Sequence, residues 1–509
     1  MDNLLLKAFL PEIFLSFSLL SQLLYNITKI TFPKYNFSLI DKKIFFQFYY
    51  ILFIVLTLLF NIKIEGIFTN FLFINDLASS YIKIIFIFSI ILIFIFIWQS
   101  YCYQNLNFFE IFIILFFSIF ASLLLISCYD LFSTYLVLEL QALCFYILAG
   151  AKRNSTFSTE AALKYFISGS FFSCIFLFGV LIFYSEFGTT NFYFLNLLTL
   201  LPFNENMEKI NIIIVLSMLL ILLTFFFKLA VVPFHFWVPE VYDGSPLSST
   251  IVLAVLPKII IFTILIRFLF ININIFKNLE FIFYFGGFFS IIWGTFSALK
   301  QKRIKKLFIY SSIAQIGFVI ITLGFFSKDS IMSIIFFLIL YNLTAVLGWG
   351  ILTAIYGFQK QVLFFKRNQN FPIFLSNFIN LFKTNRTWSL ILIFFFFSLS
   401  GMPPFVGFLG KFLLFLNIIK SQDFTVTVFL ILIASISTFY YLRVLKLIFF
   451  EVQISKKSNQ LFQGNFLYVY QDFSISLICF VVILLLALFF WPTHLFIVSK
   501  HISIGFFKI

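Results

Sequence analysis

Four charged residues lie inside long apolar runs of the sequence, where a charge is costly. Lys228 lies in LLTFFFKLAVVPFHFW, Lys258 in SSTIVLAVLPKIIIFTIL, Lys411 in PPFVGFLGKFLLFLNII and Glu139 in TYLVLELQALCFYIL. At the centre of a bilayer such a charge costs about 2.5 to 3.5 kcal/mol on insertion scales, so a functional role is the default interpretation. The chemistry that these residues offer is the transfer of protons or ions across a membrane.

A buried lysine can act as a switchable proton carrier. Burial disfavours its charged form, whereas a nearby carboxylate favours that form. If Glu139 pairs with Lys228 in one state and releases it in another, Lys228 can pass a proton toward Lys258 and onward along waters to Lys411. The four residues belong to separate predicted helices, so their proximity is an expectation. Snorkelling to the interface is the alternative for each lysine, but the long apolar flanks argue against it.

Other polar residues in apolar segments have two interpretations each. Lys164 follows Glu160 by one helical turn, so a surface ion pair explains it as well as a functional role does. His235 follows Pro233 and either bonds a freed carbonyl, the role we favour, or relays a proton. A polar stripe in one apolar helix either lines a water path or bonds neighbouring helices; it comprises Tyr310, Ser311, Ser312 and Gln315.

The elements that must position these residues are transmembrane helices. Mean hydropathy is +1.10, and charged residues are 10% of the chain, against about 25% in a soluble domain. Apolar runs of about 20 residues recur without a long polar stretch. We therefore expect an all-α polytopic membrane protein, with residues 1–509 as a single membrane domain.

Counting apolar runs predicts about fourteen transmembrane helices. They are centred on residues 4–25, 45–62, 80–99, 108–128, 130–149, 160–185, 211–236, 246–270, 279–298, 304–325, 330–356, 387–419, 424–450 and 473–497. Lysine and arginine are concentrated in the connections after odd-numbered helices, which places these connections on the matrix or cytoplasmic side and both termini on the opposite side. The opening residues lack a basic segment followed by a small-residue cleavage site, so we expect a retained first helix rather than a signal peptide.

Two predicted helices are interrupted by proline, around Pro233 and around Gly401, Pro403 and Pro404. Proline removes a backbone donor and clashes with the preceding turn, so freed carbonyls must find other partners. Corresponding breaks in two halves of a chain are typical of inverted-repeat transporters, whose ion sites lie at the breaks. An ordinary proline kink is the alternative, but each break here lies within a few residues of a buried lysine.

Cofactor sites are not predicted in this chain. The five cysteines are scattered without a CxxC pair, and the three histidines are not at ligand spacing, which argues against iron–sulfur and zinc sites. The sequence contains neither a GxGxxG motif nor a Walker loop with its lysine, so it does not indicate a nucleotide site. The net charge of +15 is explained by orientation and contact with lipids, including cardiolipin, rather than by nucleic-acid binding.

The amino-acid usage predicts the compartment. Phenylalanine numbers 86, and Phe, Ile, Leu, Asn and Lys are abundant relative to Ala, Gly and Val. Their codons are AT-rich, and Phe or Ile replaces Leu in lipid at little cost. A mitochondrial genome and the mitochondrial inner membrane are therefore favoured, with the plasma membrane of an AT-rich bacterium as the alternative.

Five segments closely resemble subunit 2 of respiratory complex I, the proton-pumping NADH:ubiquinone oxidoreductase. They are EAALKYFISGSFFSCIFLFGV, FKLAVVPFHFWVPEVYDGSPLSSTIVLAVLPKI, IKKLFIYSSIAQIG, SLSGMPPFVGFLGKF and YYLRVLKLIFF. Sodium/proton antiporter subunits share the lysine and proline of FKLAVVPFHFW, whereas VYDGSP followed by PKI, and the lysine in GFLGKF, are similar to subunit 2.

The resemblance implies fourteen helices with two inverted five-helix repeats, 108–270 and 279–450, each with a broken helix. It implies that Glu139 and Lys228 are a coupled pair, that Lys258 is the connecting lysine and that Lys411 is the terminal one. Lys164 also matches a lysine of the family. NADH, FMN, iron–sulfur clusters and ubiquinone would be bound by partner subunits, whose electron transfer would drive protons through this chain.

Two departures from the family pattern bear on this interpretation. Gln315 stands where relatives usually have histidine, so either a proton-relay role there is dispensable or water and Tyr310 substitute for it. The basic loop from Gly357 to Trp388 is longer and lacks an acidic cluster common in bacterial relatives. Its contacts with neighbouring subunits are therefore left open.

Two other functions remain as alternatives. A free-standing cation/proton antiporter would use the same lysines, but it would need a cation-binding cage, and the acidic residues inside the membrane are few, chiefly Glu139. A scaffold that only builds the membrane arm would not need the lysines that are intact at all the matched positions.

Overall fold

The computed structural model describes most of the chain. The described residues are 6–29, 42–61, 64–69, 71–104, 106, 109–200, 208–270, 279–362, 374–379, 381–384, 386–451 and 472–507. Part of the basic loop between Gly357 and Trp388 lies outside these ranges.

These residues fold mainly into α-helices, as the hydropathy predicts. In chain order the helices are α1 Leu10–Lys29, α2 Lys42–Asn61, α3 Leu77–Gln104, α4 Phe109–Ser127, α5 Leu131–Ala149, α6 Thr156–Phe187, α7 Phe192–Leu200, α8 Glu208–Leu229, α9 Trp237–Gly244, α10 Leu247–Phe270, α11 Glu280–Lys300, α12 Ile304–Leu323, α13 Lys328–Val362, α14 Leu381–Thr384, α15 Arg386–Ser400, α16 Val406–Lys420, α17 Phe424–Phe449, α18 Asp472–Phe490 and α19 Thr493–Phe507. A short 3₁₀ helix covers Leu375–Phe378.

Eleven of the described helices are long and apolar enough to cross a membrane, and the pair formed by α18 and α19, bent by 82°, makes a twelfth if it is one span. The predicted total of fourteen is not reached by this criterion. The predicted span 4–25 corresponds to a shorter apolar helix, Leu10–Tyr25. The predicted span 387–419 is divided into α15 and α16, each of 15 residues. The bend between α18 and α19 interrupts the predicted helix 473–497.

The core is built around α10, α12 and α13. We compare the most apolar 18-residue stretch of each helix. In α10 94% of these residues are buried, and in α12 and α13 83% are, against 33% in α6. A helix that is apolar all round belongs in the interior of a bundle. α13 packs against both α10 and α16, so it lies between the helix that carries Lys258 and the helix that carries Lys411.

A small hairpin, which the hydropathy did not predict, joins α2 to α3. Strands β1 (Gly66–Phe68) and β2 (Phe73–Asn75) pair antiparallel, with Ile67 opposite Ile74. Phe73 also forms a bridge to Cys128, just after α4. The hairpin therefore connects the N-terminal helices to the short segment between α4 and α5.

Candidate functional site

The first helix break separates α8 from α9. α8 ends at Leu229, and Ala230 adopts a left-handed conformation with φ of 60°. The chain then turns through Pro233 to the start of α9 at Trp237. The indole nitrogen of Trp237 donates a hydrogen bond to the Phe227 carbonyl at 3.0 Å, and the Val231 amide donates to the Phe226 carbonyl at 2.9 Å. The interrupted helix end is thus capped by main-chain amides and an indole.

Lys228 lies in the last turn of α8 and takes no part in that capping. Among the described residues it forms neither a hydrogen bond nor an ion pair, and its side chain is half-buried. Glu139 of α5 acts on it electrostatically without touching it. The structure places the predicted pair on two different helices, α5 and α8, and does not bring their charged groups into contact.

The second helix break separates α15 from α16, and here the lysine caps the break itself. The Nζ atom of Lys411 donates hydrogen bonds to the carbonyls of Leu399 at 3.1 Å and of Ser400 at 3.0 Å. These are the last two residues of α15, where carbonyls lack a partner inside the helix and the helix dipole is negative. Lys411 is only 5% exposed. Its charge is therefore stabilised by backbone carbonyls rather than by a carboxylate.

Two glycines permit this close approach of α16 to α15. Gly401 has a φ of 78°, a conformation that favours glycine, and a Cβ atom there would lie 2.9 Å from Cδ of Lys411. A Cβ atom on Gly407 would overlap the Ser398 carbonyl oxygen. The second break thus depends on small residues at both of its ends.

Lys258 lies on α10, directly after Pro257, in the middle of the protein. Its Nζ atom donates a hydrogen bond of 2.6 Å to the hydroxyl of Tyr341 on α13 and lies 4.7 Å from the centre of that ring. Lys258 is 8% exposed. Among the described residues it forms no ion pair, so a hydroxyl and an aromatic ring are the groups that stabilise its ammonium.

Lys164 differs from the other lysines because two carboxylates hold it. Its Nζ atom lies 2.7 Å from Glu160 and 2.7 Å from Glu240 of α9, and all three side chains are about half exposed. The predicted pair with Glu160 is present. Glu240 adds a contact between α6 and the segment that follows the first break.

His235 is buried within the first break. Its ring packs edge to face against Trp293 of α11, with 5.6 Å between ring centres. Its Nδ1 atom has no hydrogen-bond partner among the described residues. Its main-chain carbonyl accepts a hydrogen bond from Val238 at the start of α9. Both roles of the side chain therefore stay predictions.

The polar stripe on α12 reaches the second break through Gln315. The side-chain amide of Gln315 donates to the Leu399 carbonyl at 3.4 Å, the same carbonyl that Lys411 bonds. The hydroxyls of Ser311 and Ser312 donate to carbonyls of their own helix. Tyr310 does not reach the second break but lies within electrostatic range of Glu240, a residue of α9.

Two buried ion pairs escaped the sequence analysis. Lys83 of α3 lies 2.6 Å from Glu12 of α1, with both side chains at most 3% exposed. Arg267 of α10 lies 2.7 Å from Asp76 and also donates to the Cys128 carbonyl. The signal for Lys83 was available, because it lies in the apolar run YIKIIFIFS.

No metal site is present among the described residues, which contain no group of three or more histidine, cysteine, aspartate or glutamate side chains suited to an ion. The groups that surround Lys258 and Lys411 are hydroxyls, carbonyls and aromatic rings. This set suits proton exchange and hydrogen bonding rather than metal coordination.

Comparison with known proteins finds likeness along almost the whole chain. Residues 128–438 match the family model described as NADH:quinone oxidoreductase/Mrp antiporter, TM. NADH-ubiquinone oxidoreductase chain 2 of Marchantia polymorpha is 30% identical, with 98% of both chains covered. NADH-quinone oxidoreductase subunit N of Pelagibacter ubique is 31% identical over 89% of this chain and 90% of its own.

A solved structure has the same fold. In respiratory complex I from Thermus thermophilus, one chain superposes with a TM-score of 0.73 at 22% identity, covering 95% of this chain and 97% of that one.

Proposed function

The chain belongs to the NADH:quinone oxidoreductase/Mrp antiporter family of membrane subunits, and from this premise we propose that it is a membrane-arm subunit of complex I that carries protons across the membrane. Its proton-exchanging residues are Glu139, Lys228, Lys258 and Lys411. Lys164 and His235 have supporting roles at the first break.

The observation that carries this proposal is the state of Lys258 and Lys411. Both amines are buried in the protein interior, on different helices, and hydrogen bonds to neutral oxygens hold both. Burial of an ammonium without a carboxylate partner is expensive. A lysine kept at such a position is suited to take up and release a proton, because neither form is locked by a neighbouring opposite charge.

Lys228 supports the same proposal from the first break. Glu139 acts on it from a distance, so a small shift of α5 or α8 changes how strongly the charged form is favoured. The repeats 108–270 and 279–450 would each contribute one broken helix and its lysine to the path.

The energy for transport comes from partner subunits in this proposal. Moving one proton against 100 mV requires about 2.3 kcal/mol from the electrical term alone. Electron transfer from NADH through FMN and iron–sulfur clusters to ubiquinone would supply it, and these cofactors would be bound by other chains. The apolar exposed faces would contact neighbouring membrane subunits and lipids, including cardiolipin.

The proposal is tested with Lys258→Met in the intact complex. Inverted membrane vesicles are given NADH, and proton uptake, read from a quenched fluorescent amine, is divided by the rate of NADH oxidation. We expect this ratio to fall close to zero. The control is Lys420→Met, because Lys420 is exposed and pairs with Asp329 at the surface; its ratio should equal that of the unmodified complex.

A native gel of gently solubilised membranes, stained for NADH oxidation, accompanies this test. Peptides of this chain should appear in the active band for both variants. A normal proton ratio in Lys258→Met would overturn the proposal. If the peptides appear only in a small band without NADH oxidation, and vesicles show cation-dependent proton flux, the chain is a free-standing antiporter subunit instead.

A further inference from the structure

The short helix α9 carries two acidic residues that are bonded to two different helices. α9 has eight residues and is therefore about 12 Å long, too short to hold its position by crossing the membrane. Glu240 is paired with Lys164 of α6 at 2.7 Å. Asp243, three residues further on, is bonded instead at the start of α12. The position of α9 thus depends on contacts with its neighbours.

Three basic residues at the start of α12 contact the end of α9. Asp243 accepts a hydrogen bond from Nη1 of Arg303 at 2.8 Å and lies 3.5 Å from Nζ of Lys306. The Nζ atom of Lys305 donates to the carbonyl of Ser245 at 2.9 Å, one residue past the end of α9. A cation at this end of a helix also interacts favourably with the helix dipole. The end of α9 is therefore held on α12 by charge.

The same end of α9 fits closely against α6. A Cβ atom on Gly244 would lie 2.7 Å from the Phe157 carbonyl oxygen and 2.8 Å from the Cβ atom of Ala161. The backbone of α9 therefore touches the first turns of α6. Between this contact and the three basic residues, the end of α9 has a defined position.

The other end of α9 caps the helix that carries Lys228. Trp237, the first residue of α9, donates its indole N–H to the carbonyl of Phe227 at 3.0 Å, and Phe227 directly precedes Lys228. The indole also stacks on Tyr165 of α6, with 4.6 Å between ring centres. A displacement of α9 therefore moves the donor that ends α8 beside Lys228.

We propose that Asp243 is a positioning residue for proton transfer at Lys228. It holds α9 on the start of α12, and α9 in turn holds the capped end of α8. The inference rests on the proposed function of Lys228. Asp243 is bonded to Arg303 and Lys306 rather than to Lys228, so it acts through α9 and not on the proton itself.

Asp243 has this role rather than Glu240 because their partners differ. Without Glu240, Lys164 keeps its second carboxylate, Glu160. Without Asp243, Arg303 and Lys306 lose the carboxylate that pairs with them among the described residues. Like charges close together repel each other, so the start of α12 would then move away from α9.

The test uses Asp243→Asn in the intact complex, with the ratio of proton uptake to NADH oxidation. Asparagine keeps the size of the side chain and removes its charge. We expect the ratio to fall about fivefold, which corresponds to about 1 kcal/mol and suits a partly exposed ion pair. NADH oxidation and the active band on the native gel should be unchanged. Asp243→Glu keeps the carboxylate and should recover most of the lost ratio.

The matched control is Asp329→Asn, which removes an aspartate from an exposed pair with Lys420. Its ratio should equal that of the unmodified complex. A double variant tests the contact itself. Asp243→Asn with Arg303→Gln should lower the ratio no further than Asp243→Asn alone, because both changes remove the same ion pair.

Hydrogen exchange of the main-chain amides of Trp237–Gly244 gives a readout that does not depend on proton transport. Amide exchange reports the local opening of a helix. In the intact complex, exchange in α9 should be about fivefold faster in Asp243→Asn, again about 1 kcal/mol, and unchanged in Asp329→Asn.

The outcomes distinguish this inference from the proposed function. If Lys228→Met stops proton transport but Asp243→Asn transports normally, the positioning role is wrong and the lysine proposal stands. A lower ratio in Asp243→Asn without faster exchange in α9 also overturns it, as does a loss of the active band at an unchanged ratio. If Lys228→Met and Lys258→Met transport normally, the proposed function fails, and faster exchange then shows that Asp243 holds α9 without a role in transport.

Discussion

The two helix breaks satisfy the same physical requirement in different ways. At the first, main-chain amides and the Trp237 indole bond the freed carbonyls, and Lys228 is left without a hydrogen-bond partner among the described residues. At the second, Lys411 bonds the freed carbonyls of Leu399 and Ser400 itself. One lysine is therefore free to respond to Glu139, whereas the other is part of the structure that holds its helix together.

The two breaks also differ in the residue that adopts the left-handed backbone conformation. The first break uses Ala230, with φ of 60°, and the second uses Gly401, with φ of 78°. Only at Gly401 does the lysine chain pass close enough to exclude a Cβ atom. The comparison teaches that a helix break beside a lysine can be capped by that lysine or by other donors, and that capping by Lys411 requires a residue without a Cβ atom at position 401.

The largest effect is expected outside both breaks, at a lysine that a carboxylate holds. Lys83→Met leaves the buried Glu12 carboxylate without its partner, which costs about 3 to 5 kcal/mol. The complex should lose NADH oxidation at a clearly lower temperature. Glu12→Gln with Lys83→Met removes both charges and should recover most of the loss. Equal losses in the single and double variants would contradict this account of the pair.

The second prediction separates the two break lysines directly. Lys411→Met leaves the Ser400 carbonyl unbonded, at a cost of about 1 to 3 kcal/mol, whereas Lys228→Met removes no hydrogen bond. Both variants should lose proton transport, but only Lys411→Met should lower the temperature of thermal inactivation. A similar decrease in Lys228→Met would remove the distinction between the two breaks.

The third prediction concerns the cap of the first break. Trp237→Phe removes the indole donor but keeps an aromatic ring stacked on Tyr165. Because the Ala230 amide still donates to the Phe227 carbonyl, the loss should be about 0.5 to 1.5 kcal/mol, read as thermal inactivation of the complex. Trp293→Phe on the half-exposed face of α11 is the control and should have a smaller effect.

The smallest effect is expected from exchanging the left-handed residues. Ala230→Gly relieves the left-handed strain of a residue with a Cβ atom and should raise the inactivation temperature slightly. The gain in the free energy of unfolding is at most about 1 kcal/mol, because glycine loses more conformational entropy on folding. Gly401→Ala should lower it, because the new Cβ atom meets the Lys411 side chain. Changes of the same sign at both positions would show that the breaks do not differ in this respect.

Much of this architecture was predictable from hydropathy. The apolar runs predicted an all-helical membrane protein, and proline placed both breaks where the structure has them. The predicted helix 211–236 ends at Leu229, however, because the chain turns before Pro233 rather than at it. The β-hairpin was missed because its strands have only three residues each, too short for a periodic pattern.

The sequence identified the lysines that lie in apolar helices but not the groups that contact them. Lys228, Lys258 and Lys411 were found because a charge in an apolar run is conspicuous. Tyr341 was not found, because a single tyrosine in an apolar helix has no comparable cost and no local pattern. The contact that holds Lys258 joins residues far apart in sequence, on α10 and α13.

The sequence by itself determined which residues are expensive to bury and where the helices must break, because hydropathy and proline act locally along the chain. Only the tertiary structure decided that Lys411 caps a helix end while Lys228 does not, and that the hydroxyl of Tyr341 accepts a hydrogen bond from Lys258. These outcomes depend on which helices pack together and how closely, because a hydrogen bond forms only when donor and acceptor lie within about 3 Å. The partners come from helices far apart in sequence, and no local pattern specifies them.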